Sequence, residues 1–424
     1  MNNINKISNP GEYILTSLKL TSYNGFEVDL RSNMLELVIH EGVYQNFLCG
    51  ELLIGENVDL KRHVPLTGNE ILEVSFKTAS FPESIKHKFY VYKASPGISL
   101  NTNNKATTYH LFFVSFGGIN TQIQKLSRSY INLKYSEMVT SIFVDYNIDN
   151  DKSITVLPTS GKKQYIIPYM SPVEAINILS TRSVSEDLQS FSYVFYETLD
   201  EYKFIPINYD ENVSGTYTQF PPNLTRSDGI FRELNSEMGR IHSLSIDNHI
   251  DTVDNIGHGV YASRLITHDC IYKAIEETDY TYSDYNDVKK INKYGILPPI
   301  TKFNSPNMNR VIKAKHSFLY ENVMDSDNYE DSVLKRKAHF NHFKNNKISI
   351  LVSGDSTKRA GQLVNVNILA GDTKLHLTDN PFDYYMSGKY IIAKITHMIQ
   401  VDKYVMRLDL ERDSMPRSFP SQKE

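Results

Sequence analysis

Alternation with a period of two dominates the start of the chain. Leu35, Leu37 and Ile39 alternate with Glu36, Val38 and His40, Gly42 interrupts the run, and FLCGELLIG follows. In VPLTGNEILEVSFKT, Leu72, Val74 and Phe76 stand opposite Glu73, Ser75 and Lys77, which gives one strand an apolar and a polar face. KFYVYKAS and the almost wholly apolar TYHLFFVSF complete the block, and Gly117 with Gly118 closes it. So many short strands close most naturally as a small antiparallel β barrel or sandwich.

The period then changes. In YSEMVTSIFVDYNI, Val139, Ile142, Phe143 and Tyr146 recur at i, i+3, i+4 and i+7, the apolar face of a helix. SPVEAINILSTRS carries a stronger start signal: Ser171 can cap, Pro172 fits the first helical position and Glu174 completes a capping box. Val173, Ile176 and Leu179 give that helix its core stripe. In SFSYVFYETLDEYKFIPI, two Tyr/Phe-rich runs flank the polar ETLDE, which predicts a hairpin. Residues 226–345 are the least regular, with turn formers and charge between short β or helical pieces. From 346 to 415 strands return, ending in KYVMRLDLERDS, where Tyr404, Met406, Leu408 and Leu410 face away from Val405, Arg407, Asp409 and Glu411. Blocks rich in β thus bracket the chain, with too little literal identity to make a sequence repeat.

Length and charge narrow the class. At about 150 residues per domain, 424 residues predict about three domains. Lys and Arg number 45 against 49 Asp and Glu, a net charge of −4, which disfavours a nucleic-acid coat. With 40% hydrophobic and 22% charged residues the chain has a core to bury, and no apolar run approaches the ~18 residues of a membrane span. Membrane insertion is therefore not expected. Nor is export by a signal peptide, because MNNINKISNPGEYIL lacks a basic start followed by an apolar core. The aromatic usage, 28 Tyr and 20 Phe without Trp, leans towards β. Two cysteines, Cys49 and Cys270, make neither a disulfide framework nor a metal knuckle and are expected as buried reduced thiols.

Signatures of catalysis are sparse. His339 and His342 in AHFNHF could share a helix face, but no Glu completes a zincin motif, and a solvated helix end is expected. His242, His249, His258 and His268 fall at irregular intervals and read as surface or interface histidines. Neither GxxxxGK[ST] nor GxGxxG is present, no GxSxG elbow occurs, and neither cysteine lies in a nucleophile signature. The acidic runs SDYNDV and MDSDNYEDS read as solvated loops, and the basic run LKRKAHF as a solvated helix face. No cofactor, metal or catalytic residue is assigned. Gly354, Gly361 and Gly388, at the edges of strands in SGDSTKRAGQLVNV and MSGKYIIAKI, are expected as structural turn or bulge positions.

Four motifs in order resemble the central baseplate hub proteins of contractile-tailed bacteriophages, whose fold is shared by the first half of type VI secretion spike proteins. They are the strands ending VPLTGNEILEVSFKT; the helix of IIPYMSPVEAINILSTRS leading into SYVFYETLDEYKFIPI; GVYASRLITHD followed by TDYTYSDY; and VSGDSTKRAGQLVNVNIL with SGKYIIAKITHMI and VMRLDLERDS. Together they cover roughly residues 11 to 415.

The resemblance implies a fold of class α+β, β-dominated, with two tube-like antiparallel β-barrel domains and α+β insertions. Residues 1–117 would form the first barrel, 118–225 an α+β domain, 226–260 with 346–415 the second barrel, 261–345 an inserted domain and 416–424 a polar tail. It further implies a homotrimer in the tail baseplate of a virion, assembled in the host cytoplasm. Three chains would make a pseudo-sixfold ring joining the hexameric tail tube, or its initiator, to a trimeric spike, with baseplate wedge proteins around it. DNA would be a partner only in transit through the channel during genome ejection. The sequence ends in a polar tail, MPRSFPSQKE, so a lysozyme would belong to the spike rather than to this chain. Two rival readings are a tail-associated cell-wall hydrolase, given the many carboxylates, and a glycan- or receptor-binding tail module, given the Tyr-rich strands. Which residues form interfaces is not assigned from sequence.

Overall fold

Strands form where the period-two patterns place them. The computed structural model describes residues 10–56, 66–78, 81–96, 107–220, 237–248, 250–283, 288–297, 305, 309–315, 329–372 and 381–418. The first block holds β1 (Tyr13–Thr21), β2 (Glu27–Asp29), β3 (Met34–Gly42), β4 (Cys49–Glu56), β5 (Glu70–Thr78), β6 (Phe81–Pro96) and β7 (Thr107–Ser115), followed by α1 (Phe116–Gln122). Next come β8 (Leu126–Leu133), α2 (Tyr135–Asp145), β9 (Ile154–Val156), β10 (Lys163–Met170), α3 (Pro172–Arg182), β11 (Tyr193–Glu197), β12 (Tyr202–Pro206) and β13 (Val213–Thr218). The third stretch carries β14 (Ile241–Asn248), α4 (Thr252–Gly257), β15 (Ala262–Asp269), β16 (Ala274–Thr281), β17 (Tyr294–Gly295), β18 (Arg310–Lys315) and α5 (Tyr329–Asn345). The last is β19 (Lys347–Ser353), β20 (Leu363–Asn367), β21 (Gly388–Gln400), β22 (Tyr404–Glu411) and β23 (Ser414–Met415). The class is α+β with β dominant and a large, mainly antiparallel sheet.

That sheet has 13 strands, in the order β14-β19-β22-β21-β3-β4-β7-β6-β5-β1-β2, with β20 and β13 branching from β21. Its early and late parts join where β3 pairs antiparallel with β21, from Gly42 opposite Lys394 to Glu36 opposite Gln400. One apolar cluster spans the joint, with Leu37, Leu52, Phe76 and Phe113 in the same core as Ile350, Ile395, Tyr404 and Leu410. β13, which precedes residue 225, belongs to this sheet through its parallel pairing with β20.

Local deviations have local causes. Leu37 and Ile39 are buried as the alternation predicts, but Leu35 is 41% exposed, because the β3–β4 register shifts between Met34 and Glu36 and turns Met34 inward instead. Gly117 and Gly118 do not end the first block in a turn; they lie within α1, pressed against Phe47, Val114 and the Tyr202 hydroxyl.

The middle block follows its sequence signals closely. α2 buries Val139, Ile142 and Phe143, and α3 starts at Ser171 with the capping box in place: the Glu174 amide donates to Ser171 Oγ at 3.4 Å and the Ser171 amide to Glu174 Oε2 at 2.8 Å. Val173, Ile176 and Leu179 pack into one core with Phe195, Tyr202 and Phe204 of the β11–β12 hairpin. In the third stretch, β16-β15-β18 form a separate sheet, against which α5 buries Leu334 and Ala338 beside Leu265 and Tyr280.

Candidate functional site

Because successive side chains on a strand alternate faces, the registers fix which residues share the face of the large sheet turned away from its main core; of those named next, Val38 and Ser353 are themselves buried. One row runs unbroken through six strands: Phe112, Glu51, Val38, Met398, Val405 and Ser353. A second row runs beside it through Val114, Cys49, His40, Thr396, Arg407 and Leu351. Both cross the β3–β21 joint without a break, so the two halves present a single surface. It carries charges of both signs. Gln400 Nε2 donates to Glu36 Oε1 at 2.9 Å, Arg407 Nε to Asp409 Oδ1 at 3.0 Å, and the Lys93 ammonium lies 5.1 Å from the centre of the Phe112 ring. Such a surface has no concentrated positive field to hold a polyanion.

Behind the joint, buried carboxylates tie the middle block to the sheet. Glu41 on β3 accepts from the Leu199 amide at 3.0 Å and from the Ala360 amide, linking the β11–β12 turn to the loop before β20. Burial, only partly offset by Arg359 and the two amide donors, pushes its carboxyl up to about 7. Glu197 at the end of β11 accepts from the Leu48 amide at 2.9 Å, Ser115 Oγ at 2.5 Å and Lys152 Nζ at 2.6 Å. Arg359 clamps Asp200 in the same turn with two parallel bonds of 2.7 and 2.8 Å. Beside this cluster opens a cleft of about 630 Å³, lined among others by Lys86, His87, Lys152, Asp149 and Asp200. Among the described residues no group of three or more His, Cys, Asp or Glu could hold a metal ion, and no helix is long and apolar enough to cross a membrane.

A second buried cluster has the connectivity of a hydrolytic triad. Ser192 Oγ lies 2.6 Å from His339 Nδ1, and His339 Nε2 lies 3.0 Å from Asp413 Oδ2. All three residues are fully buried, and Asp413 also accepts from the Ile291 amide and from Ser414 Oγ. A nucleophile needs an approach for its substrate, which this serine lacks; the relay instead pins α5 and the chain before β17 to the end of β22.

This placement corrects several expectations. His339 and His342 do share one side of α5, but that side is the buried one rather than a solvated end; burial lowers His342 to about 3, and its ring packs 5.4 Å from that of Tyr282. The basic run is not simply a solvated face either: Arg336 is half-buried and donates to the Phe191 and Tyr193 carbonyls, both at 2.9 Å. Cys49 is half-buried, and Cys270 is exposed in the turn between β15 and β16. His242, His258 and His268 retain exposure, the first at 3.0 Å from Ser353 Oγ and the second at 3.1 Å from Asp254. His249 lies outside the described residues, as do 284–287 of SDYNDV and 324–328 of MDSDNYEDS.

The three glycines differ in kind. Gly361 and Gly388 have φ of +85° and +141°, where a side chain is strained. Gly354 has no such φ; a Cβ there would collide with the Tyr404 ring. Glu41, Glu197 and Arg359, which organise the joint, carry no local signal, since each is a single charged residue in an ordinary strand or turn.

No family model matches the sequence, and no curated protein matches it. Solved structures do. A tail protein from Neisseria meningitidis MC58 superposes with a TM-score of 0.56 at 13% identity, over 96% of this chain and 99% of its own. The 43 kDa tail protein of prophage MuSo2 from Shewanella oneidensis gives 0.55 at 10% identity, over 95% and 100%. At these identities the likeness is one of fold, and it runs nearly end to end. The chain has the phage tail-protein fold that the ordered motifs implied.

Proposed function

We propose that this chain is a structural hub of a phage-type tail baseplate, built as a trimer whose ring joins the tail tube to a spike and leaves a channel for the genome. The observation that carries the reading is the single outer surface formed across the β3–β21 joint, within a fold shared end to end with two tail proteins. In this reading the early and late parts of the sheet act as the two tube-like modules, and three chains supply six. A surface of mixed rather than concentrated positive charge suits a wall past which DNA must slide, because a dense Lys and Arg lining would release counterions and retain phosphate. Spike, tube or tube-initiator, and wedge proteins are the partners, and the virion tail is the location.

The rival hydrolytic reading has its best geometry at Ser192, His339 and Asp413, and their burial leaves a scissile bond no approach. The test is the solution mass of the purified chain by light scattering, alone and with a candidate spike protein. A trimer, or a trimer-based complex with spike, is expected. A monomer in both conditions would overturn the ring.

A further inference from the structure

An asparagine followed by glycine can be attacked by its own backbone, because the second residue has no Cβ to keep its nitrogen from the side-chain amide. In this chain the pair occurs once, at Asn24 and Gly25. It sits at the tip of the β1–β2 hairpin, where Gly25 has a φ of +82° and Tyr23, Asn24, Gly25 and Phe26 are all exposed.

Two features of this tip favour the attack. The Phe26 amide donates to Asn24 Oδ1 at 3.3 Å, which draws electron density away from Cγ and makes it the better electrophile. Space around Gly25 is open, since a Cβ built there meets nothing within 4 Å, so water can enter and a leaving group can depart. One feature opposes it. The Gly25 amide donates to the Ser22 carbonyl at 2.9 Å, and that bond has to open before the nitrogen attacks.

We propose that Asn24 is a site of spontaneous deamidation, with water as the co-reactant, and that the modification loosens the edge strand β2. Hydroxide takes the Gly25 amide proton, the nitrogen's electron pair forms a bond to Asn24 Cγ, and the Cγ–Nδ2 bond breaks, Nδ2 leaving as ammonia with a proton from water. The product is a cyclic succinimide. Water then opens one of its two ring C–N bonds: opening at Cγ gives aspartate, and opening at the backbone carbonyl of residue 24 gives isoaspartate. In sum, asparagine and water yield a carboxylic acid and ammonia, with no change of oxidation state. Isoaspartate puts an extra carbon into the backbone of a turn that the Ser22 amide closes onto the Phe26 carbonyl at 2.9 Å. β2 ends the large sheet and is held to β1 only through the pairs Lys19–Asp29, Leu20–Val28 and Thr21–Glu27, so it yields first. Both products also place a carboxylate between the exposed rings of Tyr23 and Phe26.

The test ages the full chain beside a free peptide, TSYNGFEV, in mildly alkaline buffer, and follows both by mass spectrometry after digestion of the chain. The fragment containing Asn24 is expected to gain one mass unit and to separate into aspartate and isoaspartate forms, faster at higher pH. It should lag the peptide by about tenfold at most, because one exposed turn bond has to open. Asn24→Gln, whose longer side chain would have to close a larger ring, should show no such gain over the same interval. Hydrogen exchange of the β1–β2 amides should rise with age in the wild type and stay constant in that variant. A fragment still unchanged when the free peptide has converted fully would overturn the site. Conversion to isoaspartate without faster exchange would overturn the loosening of β2.

Discussion

Single residues fix the close approaches in the large sheet. Tyr404 is fully buried, its amide donates to the Gly11 carbonyl at 2.8 Å, its carbonyl accepts from the Gly354 amide at 2.9 Å, and its hydroxyl lies 2.7 Å from His397 Nδ1. The backbone is fixed on both sides, and the ring is held by its hydroxyl and by the Phe76 ring 5.9 Å away, so it yields poorly to a methyl group on residue 354. Gly354→Ala is therefore expected to destabilise the fold by about 1–3 kcal/mol, the usual cost of overpacking. Gly371→Ala, where an added Cβ meets nothing within 4 Å, is the control and should be nearly neutral. Urea denaturation of the two variants checks this, and equal midpoints would show that the Tyr404 ring moves after all. From sequence, Gly354 resembled any other strand-edge glycine, because the ring that excludes a side chain lies fifty residues away in a strand whose pairing no local pattern reveals.

At the scale of elements, legibility tracked the range of the interaction. α3 was readable from Ser171, Pro172 and Glu174 because a cap is satisfied within four residues, and the β11–β12 hairpin because its two runs are adjacent. α5 was not. Its charged run LKRKAHF looks solvated in isolation, yet Arg336 reaches the Phe191 and Tyr193 carbonyls, contacts about 145 residues distant in sequence. Desolvation lowers the guanidinium to about 10 with no carboxylate beside it among the causes, so its two carbonyl bonds and the Phe340 ring, 4.6 Å away, are what offset its charge. Arg336→Met keeps the stem and removes both donors, leaving two carbonyls short of a partner. A loss of about 2–4 kcal/mol is expected, with early hydrogen exchange along α5 as its signature. Unchanged exchange in α5 would mean that Leu334 and Ala338 dock the helix without it.

For the whole molecule, the β3–β21 pairing joins residues some 360 apart, and neither strand's alternation specifies the partner; only the ordered motifs pointed to early and late blocks of one design. Folding buries titratable groups in several places, His397 on β21, His87 on β6 and His342 on α5, and these set the pH dependence of the fold. Burial lowers His342 and His397 to about 3 and places His87 well below its ordinary value, so all three are neutral in the folded chain. In the unfolded chain they take up protons below about 6.5. The unfolded state thus binds more protons from about pH 6.5 down to about 3, and stability falls as the pH falls through that window. Glu41 acts in the opposite sense: held up to about 7 by burial, it keeps a proton in the folded state that the unfolded chain has released above about 4.5. Its contribution therefore declines as pH rises from about 4.5 to 7. Through this window the three histidines outweigh the one carboxyl, because the unfolded imidazoles still hold part of their protons up to about pH 7, so Glu41 only weakens the slope. Stability is expected to rise up to about pH 7 and level off there, with a clearly lower urea midpoint at pH 5, since each proton of difference is worth about 1.4 kcal/mol per pH unit. Glu41→Gln removes the opposing carboxyl and should steepen the fall of the midpoint between pH 7 and 5. A midpoint that is flat from pH 5 to 6.5 would show that water reaches these histidines.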